Sequence, residues 1–331
     1  MTATPDVSVV ISCKNRAAML WDCFLGLGAQ TLPRERFEIV LMDNVSTDDL
    51  EAVADRARRE LGLAVTCTRM DSDHGPAPAR NRGVAIARAP VIAFTDSDCR
   101  PEPGWLEAGL APFADPSVAL VSGPVLPKPG QPIGVTAKIT FAVISEHPTF
   151  PTANAFYRRA VFLDFGGFDL ALSFDDPFGR ATECADTDLA WRIIKAGHAR
   201  RFVPEAVMRH EIETLSVFNW LMEPTRLFPL PELVRRHPEL RRELLSWGIF
   251  FYPLGTARVA AILAWLVACL FQPWLLLLGP AALLAIALRP RRGATGDLGQ
   301  RLGKTSGEIL RQILLTLSLL YGSLRFRSLV L

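Results

Sequence analysis

Between residues 7 and 122, short runs rich in β-branched residues alternate with stretches that carry apolar positions at helical spacing. Residues 7–12, 37–42, 63–68, 91–95 and 118–121 predict buried strands, and residues 17–29, 48–61, 77–88 and 104–113 predict helices. This alternation predicts an α/β domain with a mainly parallel central sheet covered on both faces. Sheets of this kind bind ligands outside the carboxyl ends of their strands, where the strand order switches. The residues that follow each strand are therefore where chemistry is to be sought.

The pattern then changes. Residues 123–151 are rich in proline and glycine and predict a loop or lid, and a second mixed segment, 152–209, holds a strand candidate at 153–158 and a helix at 187–196. Residues 231–247 are basic and amphipathic, with Arg235, Arg236, Arg241 and Arg242 between Leu233, Leu240, Leu244 and Trp247. Such a stretch suits either a membrane surface or a solvated helix face. Residues 259–288 contain no charged side chain. As one helix they would span about 45 Å, more than the roughly 30 Å hydrocarbon core. Gln272-Pro273 falls near the middle and would kink or break it. Arg258 and the four arginines before it precede the run, and Arg289, Arg291, Arg292, Arg301 and Lys304 follow it. Basic flanks on both sides favour a hairpin that enters the membrane and returns, over one kinked span. A third stretch, 309–324, is interrupted by Arg311 and closed by Arg325 and Arg327, which suits an interfacial helix. The alternative for the apolar run is a buried hairpin of a soluble protein. The expected organisation is a catalytic domain over 1–215 and a helical, membrane-associated region over 216–331.

Composition adds bounds. Half of the 331 residues are hydrophobic and the mean hydropathy is +0.22, an excess concentrated in the C-terminal third. A net charge of +2 gives no argument for a nucleic-acid partner. Cys13, Cys23, Cys67, Cys99, Cys184 and Cys269 form no C-x-x-C pair, against a zinc-finger pattern or a disulfide framework and in keeping with a reducing compartment. Residues 1–6 carry no basic stretch leading into an apolar run, so a cytoplasmic start is expected. Gly303-Lys304-Thr305 resembles the end of a phosphate loop, but Leu298 stands where its first glycine is required.

Acids cluster after the strands. Asp43 directly follows the second and is placed to accept hydrogen bonds from a ribose or base edge, although a turn residue is the blander reading, and Asp48 can cap the next helix. The fourth strand ends in Asp96-Ser97-Asp98, and two acids at the end of a buried strand are costly unless something positive sits beside them. Hard cations such as Mg2+ or Mn2+ take oxygen ligands and share them with substrate phosphates. Upstream, Gly75 opens a helix with Arg80 one turn in, an arrangement that favours an anion such as a pyrophosphate; a surface helix with arginines is the plain alternative.

The ordered set Val7–Ile11, Asn15-Arg16, Asp43-Asn44-x-Ser46-Thr47-Asp48, Gly75…Ala79-Arg80-Asn81-x-Gly83 and Asp96-x-Asp98 resembles the family-2 inverting glycosyltransferases of the GT-A fold. The resemblance continues through Asn154, Gly166-Gly167-Phe168-Asp169, Asp186-Thr187-Asp188 and His210. It covers roughly residues 7–211. It implies a Rossmann-like nucleotide-sugar-binding domain with Asn15, Asp43, Arg80 and Asp96 on the donor side. Asp98 and His210 would hold Mg2+ or Mn2+, Asp186 would be the catalytic base, and Asn154 and Asp188 would contact the acceptor or support the site. The implied partners are a nucleotide-diphosphate sugar, a glycan or lipid-linked acceptor and a membrane, at the cytoplasmic face of a bacterial inner membrane. Relatives often carry Glu-Asp where this chain has Ala185-Asp186, and Pro-Thr-Tyr where it has Ser12-Cys13-Lys14. The Q-x-x-R-W motif of processive synthases is missing, which favours transfer of a single sugar. Two other readings compete: a nucleotidyltransferase that makes a nucleotide sugar, and a non-catalytic membrane module on a transferase fold. The first lacks its glycine-rich loop after strand one, and the second should have lost acids that are present here.

Overall fold

The computed structural model describes residues 4–73, 75–138, 142–176, 178–288 and 298–331, which form two compact units. The first comprises Met1–Ile133, Ile139–Phe174 and Glu183–Glu213; the second comprises Gly134–Lys138, Asp175–Thr182 and Thr214–Leu331.

The first unit is built on strands β1 (Val7–Cys13), β2 (Phe37–Asp43), β3 (Val65–Arg69), β4 (Val91–Asp96), β5 (Cys99–Pro101), β6 (Val118–Ser122), β7 (Val125–Pro127), β8 (Ala155–Arg158), β9 (Ala199–Phe202) and β10 (Met208–His210). Seven of them make one sheet in the order β9-β6-β8-β4-β1-β2-β3. β1 is parallel to β2 and to β4, β2 is parallel to β3, and β9 is parallel to β6, whereas β8 runs antiparallel between β4 and β6. β10 pairs antiparallel with β5 and parallel with β7 in a small second sheet. This is the mainly parallel α/β arrangement that the alternation predicts.

Helices α1 (Ala17–Gly28), α2 (Leu50–Arg56), α3 (Pro76–Ile86), α4 (Trp105–Leu110), α5 (Arg159–Asp164) and α6 (Ala185–Lys195) accompany the strands. Every residue of β2 is buried and β1 is nearly so, as expected of strands covered on both faces. Val9 and Ile11 pack into one core with Leu20 and Phe24 of α1. Val10 points the other way, where a Cβ on Gly83 of α3 would come within 2.6 Å of it. α3 therefore lies directly on the sheet, and its glycine is what lets Arg80 sit so close to the strand ends.

Several boundaries differ from the sequence expectation, three of them for plain local reasons. The strand expected at 63–68 begins at Val65, after the chain leaves the preceding helix through Gly62 in the left-handed region (φ 63). The helix expected at 104–113 tightens into a 3-10 turn at Ala111–Ala114, around Pro112. The helix expected at 187–196 starts at Ala185, which puts Asp186 inside its first turn.

The second unit contains α7 (Val217–Met222), α8 (Leu230–Arg236), α9 (Leu240–Leu244), α10 (Pro253–Phe271), α11 (Leu278–Leu288) and α12 (Leu298–Phe326). The basic stretch at 231–247 forms two short helices with Leu233 and Leu240 buried inside the unit, while Arg235 and Arg236 both pair with Glu232. Leu233 and Leu240 are thus spent on packing, and of the named apolar residues only Trp247 is exposed, at 84%. The charge-free run breaks at Gln272, where Pro273–Leu277 forms a 3-10 turn. The turn brings Leu275 onto the Trp265 indole, whose Nε1 donates to the Leu275 carbonyl at 3.1 Å. Arg289, Arg291 and Arg292, the near flank of that run, lie outside the described residues, as do residues 139–141 of the proline-rich segment. The stretch at 309–324 belongs to one 29-residue helix, α12. A Cβ on Gly322 of that helix would lie 2.0 Å from the Phe228 carbonyl oxygen, so glycine is what allows the close approach. Among the described residues α10 and α12 are long and apolar enough to cross a membrane.

Candidate active site

The chain steps outward from β1 through β2 to β3 and then returns to the other side of β1 as β4. That reversal makes the crevice beyond β1 and β4 the place where this architecture takes a ligand. Register brings the strand ends level, with Ser12 beside Asp96 and Cys13 beside Asp43. Two of the three neighbouring strands thus end in an acid, and the third runs on into Lys14-Asn15-Arg16.

The loops after β1 and β2 hold each other. Asp43 Oδ1 accepts from the Ser46 amide at 2.8 Å, and Asn15 Oδ1 accepts from the Thr47 amide at 2.7 Å. Asp48 Oδ2 takes the Ala17 amide at 2.8 Å and so caps α1 from a neighbouring loop. Asn15 and Val45 both adopt positive φ, 54° and 59°. For the β-branched Val45 this is a strained conformation of the kind that persists where a site dictates backbone shape. Asp43 is buried and its other oxygen meets Arg69 Nη1 at 2.7 Å.

Arg80 reaches from α3 into a ring of acids. Its Nη2 contacts Asp96 Oδ1 at 2.7 Å and its Nη1 contacts Glu183 Oε1 at 2.9 Å. Burial alone would lower the guanidinium, but Asp96 and Glu183 outweigh it and hold the group above its ordinary value. The α3 N-terminus, opened by Gly75 at φ 84, offers the Ala77 amide to Glu183 Oε2 at 3.1 Å. A carboxylate of the protein itself thus engages one amide of this helix start.

Asp98 and His210 meet on the β5–β10 edge. His210 Nε2 lies 3.6 Å from Asp98 Oδ1, and Arg16 Nη1 pairs with Asp98 Oδ2 while its Nη2 takes Glu213 at 2.6 Å. Ligand atoms of Asp96, Asp98, Cys99 and His210 all fall within 4.8 Å of one another. This donor set, with its two carboxylates and an imidazole, fits a divalent cation. Burial, Asp96 and Asp98 raise the Cys99 thiol well above its usual range.

Asp186 stands in the first turn of α6 and keeps partial exposure. Burial pushes its carboxyl up to about 6. The Thr187 amide, 2.7 Å from Oδ1, and Arg80 pull against that rise, while Glu183 and Asp96 add to it. A base with this value is ionised near neutrality and still basic enough to take a proton.

Asn154 and Asp188 play a different part. Asn154 is fully buried: its amide donates to the Pro124 and Ala206 carbonyls at 2.9 and 2.7 Å, and its oxygen accepts from Trp105 Nε1 at 2.8 Å. Asp188 is 1% exposed and holds Arg192, whose other nitrogens take the Phe165 and Gly167 carbonyls. Both are buried and engaged in hydrogen bonds within the first unit. Arg16, Glu183, Glu213 and Cys99 carry no role in the sequence reading. Adjacency to Asn15 and to Asp98 was a usable signal for Arg16 and Cys99, whereas Glu183 and Glu213 arrive only through tertiary packing.

Fold and crevice together define a mainly parallel α/β protein whose strand ends gather acids, arginines and one histidine. Residues 8–167, nearly half of the chain, match the sequence profile of glycosyl transferase family 2, which together with the relatives below supports a family 2 glycosyltransferase. It is 27% identical over 278 residues to the pre-mycofactocin glycosyltransferase of Mycobacterium tuberculosis, covering 78% of this chain and 55% of the relative. It is 32% identical over 181 residues to glycosyltransferase AglE of Haloferax volcanii, covering 51% of this chain and 58% of that protein. The chain thus spans little more than half the length of these relatives. Among solved structures, the mannosyltransferase PcManGT of Pyrobaculum calidifontis, in complex with GDP-Man and Mn2+, superposes with a TM-score of 0.57 at 21% identity, over 98% of this chain and 88% of that one. Residues 1–349 of S. aureus TarS, in complex with UDP, give 0.51 at 16% identity, over 72% and 65% of the two chains. At these identities the structures establish the GT-A fold.

Proposed function

We propose that the chain transfers a sugar from a nucleotide-diphosphate donor to an acceptor hydroxyl, with inversion at the anomeric carbon. The observation that carries this reading is the meeting, at the switch point, of Asp186 with its carboxyl raised to about 6 and the Arg80, Asp96 and Asp98 group. Asp43 and the Asn15 loop line the nucleoside side, and Arg80 orients Asp96. Asp96, Asp98 and His210 would hold Mg2+ or Mn2+, which as a Lewis acid would supply neutralisation of the diphosphate leaving group. Asp186 removes the acceptor proton as the acceptor oxygen bonds to the anomeric carbon. The bond from that carbon to the diphosphate oxygen breaks, and the electron pair leaves on the nucleoside diphosphate. Attack opposite the leaving group inverts the centre. Complexes of the structural neighbours with GDP-Man and Mn2+ and with UDP support a nucleotide-sugar donor. Relatives named for mycofactocin, poly(ribitol-phosphate) and succinoglycan chemistry support an acceptor in glycan synthesis; a lipid-linked acceptor is part of the proposal. The reading is tested by turnover of a panel of UDP-, GDP- and dTDP-sugars with the anomeric configuration of each product determined. Retention of configuration would refute the single displacement by Asp186.

We further infer that the second unit anchors the chain at the cytoplasmic face of a bacterial membrane. α10, with 19 residues, is about 28 Å long, close to the hydrocarbon thickness. Leu270, Phe271 and Leu277, around its break, are 76–80% exposed. Leu270→Lys together with Leu277→Lys would place two charges there, both opposing insertion. In a vesicle flotation assay the double variant is expected to stay with the soluble fraction while the wild type floats. A double variant that floats like the wild type would contradict the anchor.

A further inference from the structure

The β5–β10 pairing sets Cys99 directly opposite His210, so the two side chains leave the same face of the small sheet, next to Asp98. Cys99 Sγ lies 3.9 Å from Asp98 Oδ1, and His210 Nε2 lies 3.6 Å from the same oxygen. A tetrahedral zinc ion with its usual bond lengths has ligand–ligand edges of about 3.4–3.6 Å; the two edges to Asp98 lie within a few tenths of an ångström of that, and the third lies within 4.8 Å. The second shell is in place as well. His210 Nδ1 lies 2.8 Å from the Glu211 carbonyl oxygen, an outer partner of the kind that orients an imidazole ligand. Arg16 occupies Asp98 Oδ2 and leaves Oδ1 on the side of Cys99 and His210. Cys99 is fully buried, and the Asp98 and His210 side chains are only 6% and 12% exposed.

Thiolate and imidazole are ligands that Zn2+ takes in preference to Mg2+ or Mn2+, which favour all-oxygen shells. We propose that Asp98, Cys99 and His210 form a zinc site that shares Asp98 and His210 with the hard-cation site, so that Zn2+ bound there blocks the catalytic Mg2+ or Mn2+. The blocking rests on the transferase reading above; the zinc site itself does not. Zinc displaces one proton, from the Cys99 thiol to solvent, and no electrons move.

Co2+ serves as the visible stand-in for Zn2+, and the full-length chain is used in detergent. The wild type is expected to show a near-ultraviolet thiolate-to-cobalt charge-transfer band that one equivalent of Zn2+ abolishes. Cys99→Ser should lose the band and bind Zn2+ at least about 100-fold more weakly, since loss of an outer-shell partner alone can reach that size. His210→Gln should weaken Zn2+ binding likewise, and Cys67→Ser should retain the band. Zn2+ should also release protein-bound Mn2+, followed by electron paramagnetic resonance. Absence of the band, or its survival in Cys99→Ser, overturns the site, and Mn2+ that stays bound beside Zn2+ overturns the blocking. A wild type that shows the band yet binds no Mn2+ upholds the zinc site and refutes the metal-dependent transferase reading.

Discussion

Asp186→Asn is expected to lower sugar transfer by about 10²–10⁴-fold while leaving nucleotide binding near the wild-type value, because it deletes the base and keeps the shape. The same substitution should stabilise the fold at high pH. The Asp186 carboxyl has an ordinary value of 3.8 and is pushed to about 6 in the folded chain, chiefly by burial. Between those values the folded state binds more protons than the unfolded one, so stability falls as pH rises through that window and the penalty persists above it. Two units correspond to about 3 kcal/mol, and a neutral asparagine should recover a good part of that at pH 8 and none at pH 3. Urea denaturation at the two pH values measures it. Wild-type transfer should in turn decline as pH falls through about 6, where the base becomes protonated. A variant with wild-type rate would remove Asp186 from the chemistry.

Arg80→Met is expected to have the largest effect on stability. The guanidinium is the cation shared by Asp96 and Glu183, and its side chain is only 8% exposed. Removing one partner of a buried pair typically costs about 3–5 kcal/mol; here the partly open carboxylates should hold the loss nearer about 3. A functional shift should accompany it. Arg80 is one of the groups that pull the Asp186 carboxyl down, so without it the base should need a higher pH to ionise. The acid limb of the rate profile is expected to move to higher pH in Arg80→Met. Arg80→Lys restores the charge but not the fork across two carboxylates, and should recover the pH profile better than the stability. A denaturation midpoint and acid limb that both match the wild type would remove Arg80 from this role.

Much of the architecture was legible in the sequence because it follows from local rules. β-branched runs at regular spacing gave the parallel strands, and Gln272-Pro273 broke the apolar run where proline must. The acids of the site were legible for a related reason: Asp43 and Asp96 sit at strand ends, and strand ends are where this architecture works. What the sequence could not reveal are partners brought in from afar. Glu183 reaches Arg80 across 103 positions and Glu213 reaches Arg16 across 197. Asn154 and Asp188, which the resemblance implies contact the acceptor or support the site, are buried and hydrogen-bonded within the fold, and a motif fixes residue type without fixing such partners. The β5–β10 register that sets Cys99 against His210 is likewise a property of pairing between distant strands.

The most direct measurement is donor turnover by the purified full-length chain, with Mn2+ or Mg2+ and again after chelation, across UDP-, GDP- and dTDP-sugars. At least one nucleotide sugar should be turned over to its nucleoside diphosphate, and chelation should abolish that turnover. Turnover unchanged by chelation, or none with any donor together with no metal-dependent nucleotide binding, would contradict the account.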